Sequence, residues 1–380
     1  MKITIGYITA REEPHLEWLI NGIEKQASKK DEIELIVVDA LGRSASEIGF
    51  RAIKPIKKLV EARPKPTIWQ GSHRVAPRDF FANANARNTA LILCNTSYIC
   101  FLDDRCRLED GWFEQVRRGE HKRESVICGP YDKREDWGLS HDHRRQRKPR
   151  GLKNCSGAWC FGGNFALPLD WALEVNGCEE GCDPVGLEDC MLGHMLVNVG
   201  RRIDFVIEMS VQQDRRGFVH PLNFPRQDKG QSPNDKSHAL EDRFRSRKRT
   251  EFTPDLRALR DRIFRGGSFP IPDPKGNHRD WFDGSLIRDA GISHEDLVAR
   301  AQGRAEVLGD GRLRGEALGD SVVSAPAPDV STSSIGPAVP TNTPIGTAVP
   351  TNMPVVAESG ASPTTKPMLL RSAERPEDPS

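Results

Sequence analysis

The chain has 380 residues and carries 55 Lys and Arg against 54 Asp and Glu, a formal net charge of +1. A balance this close to neutral argues against a protein that binds polyanions over its whole surface, although it leaves room for local basic patches. Residues 321–380 hold 11 of the 27 prolines and no aromatic residue. We therefore expect the hydrophobic core to come from the residues before them.

Nothing in the sequence indicates export or insertion into a membrane. The first ten residues, MKITIGYITA, are too short and too mixed for the apolar region of a signal peptide. No segment approaches the ~20 consecutive apolar residues that a membrane helix needs. The nine cysteines include no CxxC pair, and the spacing of Cys178, Cys182 and Cys190 fits no common zinc site. We expect a cytoplasmic protein with reduced, mostly buried thiols and no membrane span.

The amino-terminal part of the chain alternates between patterns typical of strands and of helices. Apolar, β-branched runs predict strands at Lys2–Ile8, Glu34–Val38, Thr67–Trp69 and Tyr98–Leu102. Apolar residues at helical spacing predict helices at Leu16–Ile23, Pro55–Ala62 and Asn85–Leu93. This order predicts an α/β fold with a mostly parallel, doubly wound sheet that binds ligands at the carboxyl ends of its strands.

The remainder of the chain has a looser pattern. It predicts strands at Cys160–Leu167 and Ile203–Ile207, and helices at Asp170–Val175, Leu187–Val199 and Ala239–Phe264. Arg144–Lys153 is a basic run that contains Pro and Gly and is typical of a loop.

The carboxyl-terminal tail contains a repeat. Ile335–Pro344 nearly recurs as Ile345–Pro354, with eight of ten positions identical. A decamer of Pro, Thr, Val and Ala cannot pack a core, so we expect an extended, disordered tail. We divide the chain into a core at 1–215, an irregular and helical extension at 216–310, and a tail at 311–380.

Two adjacent carboxylates follow the strand at Tyr98–Leu102. In a parallel sheet, Asp103 and Asp104 would lie at the edge where ligands bind. Carboxylates there can hold a divalent cation that in turn holds a diphosphate, or they can simply close the strand as an acidic turn. This segment alone leaves both interpretations open.

A second segment combines a glycine pair, Gly162–Gly163, with a second acidic pair, Glu188–Asp189. Glycines allow a close approach of the backbone. The acidic pair begins a predicted helix, where the helix dipole keeps carboxylates ionised, and an ionised carboxylate can act as a general base toward a hydroxyl. Taken alone, the acidic pair fits simple charge complementarity at a helix start better than catalysis.

Together the two segments resemble the inverting glycosyltransferases of the GT-A fold, close to the family 2 type. The resemblance covers roughly residues 1–210. It rests on the order of several short motifs, namely GYITAREEP, VVD, ANARNTAL, FLDD, GGNFALP, NGCEE and LEDCMLGHML.

The resemblance implies transfer of a sugar from a nucleoside diphosphate donor to an acceptor hydroxyl with inversion. Asp189 would be the general base, and Glu188 would orient the loop and contact the acceptor. Asp103 and Asp104 would hold Mn or Mg against the diphosphate. His238 is a candidate third ligand, as are Asp214 and His220. Donor-binding residues would be Thr9, Ala10, Arg11, Asp39, Arg87, Asn88, Asp103 and Gly163.

One position departs from the family pattern. The family usually has a carboxylate two residues after the first Asp, where this chain has Arg105. Either Asp104 becomes the main metal ligand, or Arg105 pairs with the donor phosphate.

Two rival functions remain open at this stage. Arg105 favours a non-catalytic sugar- or nucleotide-binding protein on a decayed GT-A fold. The basic runs at 144–153 and 243–249 favour a transferase that acts on modified bases in DNA, although a glycan, protein or small-molecule acceptor fits the neutral net charge better.

Overall fold

The computed structural model describes residues 1–67, 82–135, 138–183, 186–216 and 245–271. The chain divides into two units, Met1–Ser324 and Ala325–Ser380, and every described residue belongs to the first. Within these ranges, no helix is both long enough and apolar enough to cross a bilayer.

The strands are β1 (Lys2–Thr9), β2 (Glu32–Asp39), β3 (Ile56–Ala62), β4 (Tyr98–Asp103), β5 (Cys106–Leu108), β6 (Val126–Cys128), β7 (Tyr131–Glu135), β8 (Gly138–Ser140), β9 (Asn164–Pro168), β10 (Ile203–Phe205) and β11 (Val211–Asp214). The helices are α1 (Leu16–Gln26), α2 (Asn83–Leu93), α3 (Trp112–Lys122), α4 (His143–Arg147), α5 (Leu169–Glu174), α6 (Glu188–Asn198) and α7 (Leu256–Phe264). Short 3₁₀ turns lie at Gly157–Trp159 and Glu180–Cys182.

The main sheet has seven strands in the order β10-β6-β9-β4-β1-β2-β3. Its neighbouring strands are parallel except where β9 pairs antiparallel with β4 and β6. Apolar side chains alternate between two core clusters, one on each face of the sheet. The predicted fold class, an α/β molecule with a mostly parallel sheet flanked by helices, is confirmed.

A second, smaller sheet has the order β5-β11-β7-β8. Strand β5 follows the turn at Asp103–Asp104, so this small sheet begins at the carboxyl end of β4. It therefore adds a wall beside the edge at which ligands are expected.

The predicted helix at Pro55–Ala62 is wrong, because Ile56–Ala62 is strand β3. It pairs with β2 at the sheet edge, where Lys58 Nζ lies 2.8 Å from Glu34 Oε1. Its apolar residues Ile56, Leu59 and Val60 would also suit a helical turn. Over so short a segment, pairing with the open edge of β2 decides the conformation.

The predicted helix at Ala239–Phe264 is shorter than expected. In the described part of this segment, residues 245–255 are irregular and the helix begins at Leu256. Asp255 Oδ1 accepts hydrogen bonds from the backbone N–H groups of Arg257 (3.0 Å) and Ala258 (3.1 Å), which fixes the helix start after Pro254. Residues 239–244 lie outside the described ranges, as do 68–69 of the predicted strand at Thr67–Trp69.

The basic loop predicted at Arg144–Lys153 contains a short helix, α4, and one of its cations is buried. Arg144 is 3% exposed, and its Nη2 lies 2.7 Å from Asp142 Oδ2. This arginine therefore supports the fold and is not free to bind a ligand.

Candidate active site

The Asp103–Asp104 turn lies at the carboxyl end of β4, level with the ends of two neighbouring strands. The strand register pairs Asp103 with Ile8 of β1, and pairs Thr9 with Asp39 of β2. Side chains from separate motifs are thus brought to one edge of the sheet, as the sequence predicts for Asp103, Thr9 and Asp39.

Asp103 is the more accessible of the two aspartates, with 27% of its side chain exposed. Its Oδ1 accepts a hydrogen bond from Arg87 Nη2 at 2.9 Å, and its Oδ2 accepts one from the Tyr131 hydroxyl at 3.2 Å. Gly163 lies directly against this carboxylate, and a Cβ at that position would collide with Asp103 Oδ1. Glycine is needed there because of this close approach.

Arg87 joins the two acidic motifs of the sequence. It extends from α2, is 2% exposed, and forms ion pairs with Glu188 through Nη1 and with Asp103 through Nη2. Burial disfavours its charged form, but the carboxylates of Glu188 and Asp103 outweigh this effect and raise the pKa of Arg87. Arg87 is therefore a permanent cation between these two acids.

Asp104 turns into the protein. It is 5% exposed, its Oδ2 accepts a hydrogen bond from Thr9 Oγ1 at 2.8 Å, and its Oδ1 lies 2.8 Å from Arg11 Nε. Burial raises the pKa of Asp104 to about 7, although Arg11 and Thr9 favour the carboxylate. In this position Asp104 fixes the loop after β1 to the end of β4.

The second acidic pair opens helix α6 after Leu187, which has a positive φ of 72°. Asp189 Oδ2 accepts a hydrogen bond from the backbone N–H of Gly162 at 2.6 Å, and Oδ1 accepts one from Cys190 N–H at 2.7 Å. Asp189 is 6% exposed. It therefore anchors the loop that carries Gly163 while Glu188 binds Arg87.

The remaining residues that the resemblance assigns to the donor lie at the ends of β1 and β2. Asp39 accepts hydrogen bonds from the backbone N–H groups of Leu41 (3.1 Å) and Arg43 (3.0 Å), and pairs with the Arg43 guanidinium. Ala10 follows β1 and is buried. Asp39 thus organises its own loop.

Asn88 connects α2 to the acidic loop in NGCEE. Its amide donates to the carbonyl of Cys178 at 2.8 Å and to Glu180 Oε1 at 2.9 Å, and its Oδ1 accepts from Cys178 N–H. Asp183 accepts hydrogen bonds from the backbone N–H groups of Ala84 and Asn85, at the start of α2. Asn88 and Asp183 therefore join α2 to the loop between α5 and α6.

The expected metal ligands do not assemble around a cation site in the described part of the chain. A divalent Mg or Mn ion prefers about six oxygen ligands, and both aspartates already pair with arginine. Asp214 is bound by the Arg216 guanidinium, with 2.6 Å between Arg216 Nη2 and Asp214 Oδ2. Across the described ranges, no group of three or more His, Cys, Asp or Glu side chains could hold a metal. His220 and His238 lie outside these ranges.

Arg105, the departure from the family pattern, adopts a positive φ of 54°. Its backbone N–H donates to the carbonyl of Pro14 at 2.8 Å, and its Nη1 donates to the carbonyl of Arg216 at 3.3 Å. The side chain thus extends toward the end of β11.

Sequence reasoning missed three residues in or directly after the strands of the small sheet, namely Tyr131, Lys133 and Arg215. Strands β7 and β11 are parallel, and Tyr131 pairs with Val211 and Lys133 with Gln213. Segments of five and four residues are too short for a reliable alternation signal. Only the fold brings the Tyr131 hydroxyl to Asp103 and places Lys133 on the same strand two residues further on.

All nine cysteines are free and buried, as predicted. Burial raises the pKa of Cys178, Cys182 and Cys190 well above the ordinary value. These three thiols form no metal group in the described residues, so they belong to the core.

No family model matches the chain, and no curated protein matches it. Solved structures similar to it include TarS 1–349 from S. aureus with UDP, at 13% identity over 56% of this chain and 60% of that chain, with a TM-score of 0.43. The same protein with UDP-GlcNAc is 13% identical over 58% of this chain and 60% of that chain, with a TM-score of 0.44. GalNAc-T7 with UDP, GalNAc and Mn2+ is 16% identical over 63% of this chain and 47% of that chain, with a TM-score of 0.40.

The chain therefore spans about 60% of the TarS fragment and 47% of the GalNAc-T7 chain. Because the identities and TM-scores are this low, the function has to be argued from the residues of this chain.

Proposed function

We propose that the protein is a glycosyltransferase that moves a sugar from a nucleoside diphosphate donor to an acceptor hydroxyl with inversion. One observation carries this proposal. Residues from motifs far apart in the sequence, on α2, β4 and α6 and in the glycine turn directly before β9, meet around the partly exposed carboxylate of Asp103 at the carboxyl edge of the sheet. This is the edge at which α/β sheets bind ligands.

In the proposed reaction, the acceptor oxygen attacks the anomeric carbon as the bond to the phosphate oxygen breaks. The electron pair of that bond leaves with the diphosphate, and the acceptor proton passes to Asp189. Glu188 would orient this side of the site through Arg87. A positioned base typically contributes ~10²–10⁴-fold.

The loops after β1 and β2 would hold the nucleoside. In this proposal, Thr9 and Arg11 hold the loop in place through Asp104, Asp39 shapes the adjoining loop, and Ala10 offers its backbone between them. Asn88 supports the opposite wall through Cys178.

The first experiment is a thermal-shift screen of the full chain against UDP, GDP, ADP and CDP and their sugar conjugates. A ligand at a hundredfold over its dissociation constant should stabilise the protein by ~2.7 kcal/mol. The donor found in this way should then be hydrolysed slowly by the protein in water. Binding without any hydrolysis or transfer would favour a decayed fold that only binds nucleotide sugars.

A further inference from the structure

We propose that Lys133 and Arg215 together bind the diphosphate of the donor and supply the positive charge that a divalent metal would otherwise supply. This inference rests on the proposed function, because it names the ligand group and its partners at the same site. It begins from the aspartate turn, where each carboxylate already pairs with an arginine.

The geometry of the small sheet directs both cations toward this turn. In a strand, alternate residues share a face, and residues paired between parallel strands lie on the same face. Lys133 pairs with Gln213, so Tyr131, Lys133, Gln213 and the following Arg215 lie on one face.

Two hydrogen bonds show what this face meets. The Tyr131 hydroxyl donates to Asp103 Oδ2 at 3.2 Å, and Gln213 Nε2 donates to the backbone carbonyl of Asp104 at 3.2 Å. The face that carries Lys133 and Arg215 therefore faces the carboxyl end of β4.

Lys133 and Arg215 lie on the same face of two paired strands. Both side chains are half-buried. Burial together with the neighbouring positive charge of Arg215 lowers the pKa of Lys133, although the carboxylates of Glu135, Asp142 and Asp103 oppose this shift. Lys133 Nζ lies 5.6 Å from the ring centroid of Phe161, which directly precedes the Gly162–Gly163 pair. Across the described part of the chain, neither the Lys133 ammonium nor the Arg215 guanidinium makes an ion pair.

Two neighbouring like charges in a half-buried position repel each other until an anion lies between them. A diphosphate supplies several charges and many acceptor oxygens, and guanidinium groups bind phosphate with two parallel hydrogen bonds. Lys133 and Arg215 together carry the charge of one divalent cation. They would stabilise the diphosphate as it gains charge during departure.

The test measures binding of inorganic pyrophosphate and of the donor identified above to the full chain by calorimetry, in EDTA and in Mn. We expect equal affinity in both buffers. Lys133→Gln and Arg215→Gln should each weaken binding about tenfold, which is the loss of a charge-assisted hydrogen bond. The matched control is Arg134→Gln, which removes the same charge from an exposed residue on the opposite face of β7 and should bind normally.

Melting without ligand gives a second measurement that needs no bound anion. Removing one of two repelling charges should leave each variant at least as stable as the parent chain. Pyrophosphate binding that is lost in EDTA, or retained in the Lys133→Gln/Arg215→Gln double variant, would overturn the proposal.

Failure of this inference can be told apart from failure of the proposed function. Sugar transfer that needs Mn and ignores both substitutions would leave the transferase standing and remove the cationic site. Pyrophosphate binding that depends on both side chains, in a protein that binds no nucleotide sugar, would support the cationic site and contradict the proposed transferase.

Discussion

At the scale of single residues, the two acids that open α6 have different partners and so different expected roles. Asp189 holds the backbone of Gly162, while Glu188 neutralises a buried arginine. Although the two acids are adjacent in sequence, experiments can distinguish them. Substitution of Asp189 should change the rate of sugar transfer, and substitution of Glu188 should change the stability of the protein.

For Asp189→Asn, we expect donor affinity within about twofold and sugar transfer reduced by ~10²-fold or more, because the amide keeps the size of the side chain but cannot take a proton. Steady-state transfer and donor titration measure the two quantities. Near-normal turnover would mean that Asp189 only anchors the glycine loop. The base would then be sought at Glu180 or Asp183, although both carboxylates already hold backbone or side-chain donors.

Glu188→Gln is expected to act mainly on stability. It leaves the buried Arg87 charge with Asp103 alone, and breaking a buried ion pair by removing one partner typically costs ~3–5 kcal/mol. Urea unfolding of Glu188→Gln and Asp189→Asn side by side measures this difference. A Glu188→Gln variant as stable as the parent chain would show that the pair of Arg87 with Glu188 contributes little to folding.

At the scale of elements, one buried carboxylate connects the loop after α5 to the segment before α7. Glu179 accepts hydrogen bonds from the backbone N–H groups of Gly181 (3.1 Å), Glu251 (2.6 Å) and Phe252 (3.1 Å). Burial raises the pKa of Glu179 from 4.5 to about 7. The folded protein therefore holds this proton more tightly than the unfolded chain does.

This pKa predicts how stability changes with pH. The contribution of Glu179 is fully present below its ordinary pKa and is lost as the pH rises through about 7. Glu179→Gln should therefore lose less stability than the parent chain between about pH 5 and 8, by a few kcal/mol at most. Urea unfolding across this range measures the slope. The exposed control Glu114→Gln should keep the slope of the parent chain, and parallel profiles for Glu179→Gln would contradict the assignment.

The elements also show what sequence can and cannot predict. Long apolar runs such as β1, β2 and β4 are found from sequence because their burial on both faces leaves a continuous signal. The sequence predicts a helix at Pro55–Ala62 because the apolar spacing there suits either structure, and pairing with the edge of β2 makes Ile56–Ala62 a strand.

Some residues of the candidate site can likewise be predicted from the sequence, and others cannot. The family resemblance implies that Asp103, Arg87 and Gly163 belong to one site, and the fold brings them into contact. Lys133 and Arg215 have no local signal, because their significance depends on the pairing of β7 with β11.

At the scale of the whole molecule, the Pro-rich tail should be separable from the folded part. Deleting residues 321–380 should leave the melting temperature and donor binding unchanged, since this segment has no aromatic residue and no apolar periodicity. Differential scanning calorimetry of the full and shortened chains measures this. A drop of several degrees on deletion would mean that the tail stabilises the folded unit.

The nine buried thiols can report on local and global opening of the protein. A cysteine reacts with an alkylating reagent only as an exposed thiolate, so each adduct marks an event that brought that thiol to water. Cys100 lies in β4 between β1 and β9, whereas Cys155 lies in a loop. Mass spectrometry during slow labelling should therefore show Cys155 modified through local fluctuations, and Cys100 only when the central sheet comes apart.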